Sequence, residues 1–159
     1  MLRLMTDKEI IARYGNPFSY IDDHGSVSAG WGLSILESFQ LPQPIPLSWG
    51  GVAKRISCHK MVKPELEGVF KLLHSMPEVW ATINDYGGCF SFRRNSNDKT
   101  KLSRHSWAIA LDLDVKDNPD GTPGETHPLI IQAFYDAGWL WGGWFSNPDP
   151  MHFEKAVPR

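Results

Sequence analysis

Alternation of apolar and polar residues is clearest over residues 108–115, and it predicts a strand. Four apolar residues at alternate positions would face a core: Ile109, Leu111, Leu113 and Val115. A second alternating segment, residues 151–157, predicts a strand near the C-terminus. There His152 and Glu154 would share one face of the strand, because successive side chains point to opposite faces.

Helical spacing of apolar residues predicts three helices. The first begins with a capping-box pattern, in which Glu9 follows Thr6 by three positions, and ends near Gly15. Residues 64–76 predict the second helix and residues 128–137 the third. The second would bury one apolar face, formed by Leu66, Val69, Phe70 and Leu73.

Residues 16–50 are rich in glycine, proline and serine, so we expect an irregular but ordered wrap with little regular structure. No repeat or second core is visible, and 159 residues suffice for one domain. We predict a single domain in which residues 1–44 supply an N-terminal helix and wrap, and residues 45–159 the core. The fold class would be α+β, a small antiparallel sheet with flanking helices.

Composition excludes some functions. The chain has 16 Lys and Arg against 18 Asp and Glu, and this near balance argues against nucleic acid as the main partner. No segment approaches the ~20 apolar residues of a membrane span, and charges interrupt the N-terminal residues, so we expect no secretory signal and synthesis in the cytoplasm. Cys58 and Cys89 are too few for a disulfide framework, and two buried free thiols are favoured over one disulfide.

Two short segments hold candidate metal ligands. His105 lies just before the first predicted strand, Asp112 lies within it, and His152 begins the last strand. Two imidazoles and a carboxylate suit a catalytic zinc ion, because three protein ligands leave a position open for water. Asp149, three residues before His152, could accept a proton from that water. Ala108 and Ala110 would share a strand face with Asp112 and leave a shallow floor for the ion.

Each of these residues alone is more often structural than functional, and only their combination points to a metal site. Asp114 is an alternative to Asp112 as a ligand. Glu154 could orient a ligand, although an exposed strand carboxylate is the favoured interpretation. The remaining histidines are expected to be structural or exposed: His24, His59, His74 and His127.

The segment from Ser103 to Asp112 is similar to the S-x-H-x-x-G-x-A-x-D signature of the M15 zinc peptidases, the D-alanyl-D-alanine carboxypeptidase and dipeptidase family. The segment from Asp149 to Glu154 resembles that family's second signature, an acidic residue three positions before the last histidine. In pattern, the chain is most like the phage endolysins and L-alanyl-D-glutamate peptidases of this family. The resemblance covers about residues 45–159 and implies a hedgehog/DD-peptidase-like fold with a zinc cleft on the sheet.

The resemblance also implies roles for individual residues. His105, Asp112 and His152 would hold zinc, a choice in which the family spacing favours Asp112 over Asp114. Asp149 would be the general base, and an arginine would stabilise the oxyanion. Arg93 is the expected arginine, with the adjacent Arg94 as the alternative. The chain has Ala108 where the family usually has glycine, which should not matter if that residue is extended.

The implied function is hydrolysis of an amide bond in the peptidoglycan stem peptide, by a monomeric phage or prophage endolysin that reaches the wall through a holin or lysis. Two alternatives stay open. One is a D,D-carboxypeptidase or dipeptidase acting on D-Ala-D-Ala termini. The other is a non-catalytic, zinc-stabilised cell-wall-binding or virion module.

Overall fold

The computed structural model describes residues 1–159 as an α+β fold with five α-helices and two antiparallel sheets, which confirms the predicted class. The helices are α1 (Asp7–Tyr14), α2 (Ala29–Ile35), α3 (Lys63–His74), α4 (Pro77–Trp80) and α5 (Pro128–Asp136). The strands are β1 (Leu2–Leu4), β2 (Leu36–Pro46), β3 (Val52–His59), β4 (Tyr86–Gly88), β5 (Ala110–Leu113), β6 (Trp139–Trp141) and β7 (His152–Pro158). Short 3₁₀ helices span Pro17–Tyr20, Arg104–Trp107 and Gly142–Trp144. None of the helices has the length and apolar character needed to cross a membrane.

The larger sheet is organised around β7, the C-terminal strand. It pairs antiparallel with β5, β6 and β1, and β5 pairs in turn with β4. The register places Ala110 opposite Glu154 and Asp112 opposite His152. The two segments that carry the candidate ligands are therefore neighbouring strands.

All three predicted helices form, as α1, α3 and α5. Around α1 the capping box is complete, because Glu9 N donates to Thr6 Oγ1 at 3.3 Å and Thr6 N donates to Glu9 Oε2 at 2.8 Å. The four apolar residues predicted on one face of α3 are all buried. After α5, Gly138 adopts φ 87°, the left-handed conformation that ends many helices.

The strand predicted over residues 108–115 is shorter than expected, since β5 has only four residues. Asp114 ends it with φ 54°, and its carboxylate accepts hydrogen bonds from the backbone N–H groups of Asn84 and Asp85. Val115, which we predicted to face the core, is consequently only partly buried.

The expectation of an irregular wrap over residues 16–50 is wrong for much of that segment. It contains α2 and the 11-residue strand β2, which pairs with β3 in a long hairpin. The prolines that suggested irregularity are tolerated because Pro42 and Pro44 fall where the register shifts, between Gln40 and Ile45. A two-stranded sheet also leaves free edges, where a missing N–H costs no ladder hydrogen bond.

Aromatic side chains connect the hairpin, the helices and the larger sheet. Phe70 of α3 lies 6.1 Å from Phe39 of β2 and 6.2 Å from Phe134 of α5, measured between ring centroids. Phe134 in turn stacks on Phe153 of β7 at 4.2 Å. The hydrophobic core therefore packs against the strand that carries His152. Cys58 and Cys89 are buried free thiols within it, as favoured from the sequence.

Candidate metal centre

His105, Asp112 and His152 come together at the β5–β7 ladder, each offering one ligand atom, and these atoms lie within 4.8 Å of one another. Asp112 Oδ1 is 3.3 Å from His105 Nε2 and 3.2 Å from His152 Nδ1. The 3₁₀ helix before β5 supplies His105, and the first residue of β7 is His152. The structure therefore brings together all three of the residues that the sequence proposed as ligands.

The orientation of His105 is set by its own segment. Ser103 caps the 3₁₀ helix by accepting from His105 N, and the imidazole Nδ1 lies 2.9 Å from the carbonyl oxygen of Cys89. Because a carbonyl only accepts, Nδ1 carries the proton and Nε2 presents a lone pair. Nε2 is buried and has no hydrogen-bond partner, since the nearby Asp112 oxygen does not meet hydrogen-bond geometry. A buried, unpartnered imidazole nitrogen beside a carboxylate fits a bound cation.

His152 lies between two carboxylates, with Nδ1 near Asp112 and Nε2 3.0 Å from Glu154 Oε2. Burial alone would lower the pKa of His152, but the hydrogen bonds to Asp112 and Glu154 raise it to about 10. Burial would likewise raise the pKa of Asp112, yet His105 and His152 hold it well below its usual range. The cluster therefore favours a positive charge between Asp112 and the two histidines. Two imidazoles with one carboxylate are also a donor set that suits zinc.

Glu154 is not the exposed strand carboxylate that we favoured from the sequence. It is only 6% exposed, because the strand around it pairs with β5 and with β6. Its carboxylate contacts His152 on one side and lies 3.7 Å from Arg104 Nε on the other. The alternative interpretation, in which Glu154 orients a ligand, matches this position.

Asp149 lies in the turn that leads into β7. Its carbonyl accepts from His152 N at 3.0 Å, and its N–H donates to the Gly142 carbonyl at 2.9 Å. A Cβ on Gly142 would come within 2.3 Å of the Asp149 carbonyl oxygen, so only glycine allows this turn. The half-buried Asp149 side chain lines a cavity together with both histidines, and burial raises the pKa of its carboxyl. A carboxylate so placed can exchange a proton with a molecule in the cavity.

Arg93 and Arg94 are distinguished by where they lie. Arg93 is exposed and lines both cavities that include His105, whereas Arg94 lines neither. The Arg93 backbone is fixed by the first motif, because its N–H donates to Ser106 Oγ at 3.1 Å and its carbonyl accepts from the same hydroxyl at 3.0 Å. Of these two candidates, Arg93 is thus the arginine that the fold places beside the cluster.

Ala108 is not extended, contrary to our expectation. It follows the 3₁₀ helix with φ 53° and ψ 38°, and its N–H donates to the His105 carbonyl at 3.0 Å. This left-handed conformation costs a residue with a Cβ roughly 1–2 kcal/mol relative to a right-handed one. The left-handed conformation gives a physical reason for the glycine that the family signature usually has at this position. In this chain Ala108 adopts that conformation at the cost of strain.

Cavities extend from the cluster in two directions. One, of about 290 Å³, is lined by Trp49, Phe90 and Arg93 as well as by His105 and Asp112, and beside it a largely apolar groove of about 490 Å³ follows the β2–β3 hairpin. A polar groove of about 460 Å³, which shares Arg104 and Glu154 with the cavity that both histidines line, includes Asn95, Asn97, Lys101 and Asn147. Trp49, at the hairpin tip, is 65% exposed, and nothing in its local sequence indicated this place beside the cluster.

The other candidate residues stay apart from the cluster. Asp114 uses its carboxylate to hold the backbone of Asn84 and Asp85, so the geometry favours Asp112 as the ligand. His59 is buried, and its Nε2 lies 2.9 Å from the Tyr14 carbonyl, which is a structural position. The other three histidines, His24, His74 and His127, are not part of the cluster.

The fold and the cluster together define an α+β protein with a site suited to a divalent metal. Residues 96–155 match a family model described as D-alanyl-D-alanine carboxypeptidase, which supports a peptidase and confirms the resemblance to the M15 family. The matched segment includes His105, Asp112, Asp149 and His152 and begins after Arg93. Comparisons with curated proteins and with solved structures gave no significant match.

Proposed function

We propose that this protein is a zinc-dependent peptidase that hydrolyses an amide bond in the stem peptide of peptidoglycan, in the manner of a phage or prophage endolysin that gains access to the wall through a holin or lysis. The observation that carries the proposal is the unpartnered His105 Nε2, buried beside Asp112 and His152 within the peptidase-matching segment.

His105 Nε2, a carboxylate oxygen of Asp112 and His152 Nδ1 would hold the zinc ion. Bound zinc supplies a Lewis acid that polarises the scissile carbonyl and lowers the pKa of water. Three protein ligands leave room for substrate and water, which distinguishes a catalytic site from a closed structural one.

Asp149 would accept the proton of the attacking water and pass it to the leaving amine. Burial raises the pKa of its carboxyl, which makes the carboxylate a stronger base for the first step. Arg93, whose backbone is fixed by Ser106, would stabilise the negative charge that develops on the carbonyl oxygen.

The grooves on both sides of the cluster favour cleavage within a peptide. A carboxypeptidase needs room for only one residue beyond the scissile bond, whereas this cluster lies between an apolar groove and a polar one. We infer that the stem peptide lies across the cluster with one arm along Trp49. The description of the matching family keeps a D,D-carboxypeptidase or dipeptidase as the second candidate. A non-catalytic module is disfavoured, because it needs neither Asp149 nor Arg93.

The test is product mass spectrometry on purified peptidoglycan and on defined muropeptides, with zinc-loaded wild type beside Asp149→Asn. We expect stem-peptide fragments from the wild type and at least ~100-fold slower release from the variant, with unchanged zinc content. Asp23→Asn, an exposed site, is the matched control and should behave as wild type. Release of D-alanine alone would identify the carboxypeptidase. No product from a zinc-loaded wild type would refute the peptidase and favour the binding module.

A further inference from the structure

Glu154 determines which nitrogen of His152 is available to a metal. Its Oε2 lies 3.0 Å from His152 Nε2, and the carboxylate is buried. Both ring nitrogens of His152 face carboxylates, because Nδ1 lies 3.2 Å from Asp112 Oδ1. A zinc ion held on Nδ1 would take the place of the proton there and leave the remaining proton on Nε2, where it is donated to Glu154. A carboxylate on the far nitrogen of a histidine ligand fixes the ring and increases its basicity.

A buried carboxylate needs a partner charge, and Arg104 supplies it. Arg104 Nε is 3.7 Å from Glu154 Oε1, and the side chains are only 14% and 8% exposed, respectively. Arg104 directly precedes His105 in the 3₁₀ helix, so one short segment carries both a candidate ligand and the cation that faces Glu154. Without Arg104, Glu154 would be a buried charge compensated by His152 alone.

The N-terminal residues hold Arg104 in place. Arg104 Nη1 donates to Asp7 Oδ1 at 2.7 Å, and Nη2 donates to the Met5 carbonyl at 3.2 Å. Strand β1 pairs with β7, with Leu4 opposite Ala156, so the N-terminus is attached to the same strand as Glu154. These N-terminal residues lie outside the segment 96–155 that matches the family model.

We propose that Asp7, Arg104 and Glu154 form a positioning relay through which the N-terminal segment sets the metal affinity of His152. Asp7 and the Met5 carbonyl orient Arg104, Arg104 orients Glu154, and Glu154 keeps the proton on His152 Nε2. Arg104 and Glu154 also line the cavity at the cluster and the polar groove, so the relay is tested by zinc binding without substrate. The relay rests on the proposed function only in requiring that the cluster bind zinc, and it does not depend on which bond is cut.

Zinc affinity, measured by competition with a chromophoric chelator, tests the relay without any substrate. We expect Glu154→Gln to weaken zinc binding about 10–100-fold, the usual effect of losing such a partner, and Asp7→Asn to weaken it about threefold or more. The matched control is Glu9→Gln, which lies in the same helical turn as Asp7 but pairs with Arg3. It should lower the stability of α1 and leave zinc affinity within twofold of wild type.

A second readout separates positioning from general loosening. Nitrogen-15 NMR of the zinc-loaded wild type should show His152 protonated at Nε2 with slow exchange, and Asp7→Asn should speed that exchange. Zinc affinity of Glu154→Gln within twofold of wild type would overturn the relay, as would equal losses in Asp7→Asn and Glu9→Gln. If Glu154→Gln does not fold, Asp7→Asn decides, since the Asp7 side chain is 43% exposed. Wild type that binds zinc but cuts no peptide would refute the proposed function and leave the relay standing, whereas wild type that binds no zinc would overturn both.

Discussion

The Phe134 side chain connects the helices to the strand that carries the candidate metal site. Its removal should lower the free energy of unfolding without changing the chemistry of that site. Phe134 is fully buried on α5 and contacts three other rings, those of Phe70, Trp139 and Phe153. The substitution Phe134→Ala removes all three contacts and leaves a cavity between α3, α5 and β7.

The expected loss follows from burial and ring contacts. A fully buried phenylalanine replaced by alanine costs about 3–5 kcal/mol in the free energy of unfolding. The stacked contact with Phe153 places the value in the upper half of that range, about 4 kcal/mol. For a chain of this size each kcal/mol lowers Tm by about 2–4 °C, so Tm should fall by about 8–16 °C. Phe134→Leu keeps most of the volume and should cost about 1.5 kcal/mol.

Urea unfolding followed by circular dichroism, with excess chelator so that metal adds no stability, measures these differences. The control is Leu129→Ala on the same helix, where the side chain is 47% exposed, with an expected change under about 0.5 kcal/mol. If Phe134→Ala and Leu129→Ala differ by less than about 1 kcal/mol, then α5 is not packed on β7 as described, and the support inferred for His152 is wrong.

Two further predictions concern the cleft and the pH dependence of folding. Trp49→Ala should raise KM for muropeptides about fivefold or more with a smaller change in kcat. The substitution removes a side chain that lines the proposed binding cavity, and it leaves every proposed catalytic group in place. Trp144, which is 55% exposed, does not line the cavities around the cluster, so Trp144→Ala should leave both constants unchanged. A fall in kcat alone for Trp49→Ala would contradict the assignment. Burial lowers the pKa of His59 below its ordinary 6.5. The unfolded chain therefore binds a proton at a higher pH than the folded chain does, and the free energy of unfolding should fall as the pH drops below about 6.5. His59→Gln should make that slope shallower in chelator between pH 7.5 and 5, and an unchanged slope would refute the argument.

Local patterns were sufficient for three of the five helices, α1, α3 and α5, and for the choice of the candidate ligands. The Thr6 and Glu9 capping box and the apolar face of α3 depend on neighbours within four positions, which a sequence displays directly. His105, Asp112 and His152 could be chosen because their spacing resembles a known signature and because alternation placed two of them on strands. In the fold, the antiparallel pairing of β5 with β7 brings these residues together.

Properties set by distant neighbours could not be predicted. Glu154 is buried because β7 has partners on both sides, a fact that no local pattern records. The contact between Arg104 and Asp7 joins residues 97 positions apart. Likewise the left-handed conformation of Ala108 depends on how the 3₁₀ helix turns into β5, and alternation alone made that residue look extended.

Because Asp112 lies opposite His152, metal binding at the cluster would report on whether β5 and β7 are correctly paired. These residues are 40 positions apart, and they meet only when β5 and β7 are in register. A slip of one residue would turn His152 away from Asp112 and leave no complete ligand set. If the cluster binds zinc as proposed, the ion would bind only the correctly paired chain, and free metal at 100 times its Kd would add about 2.7 kcal/mol to the stability of that chain. Without that metal, the pairing of the C-terminal strand would lose this stabilisation, so metal supply would govern how long the folded protein survives as well as the proposed activity.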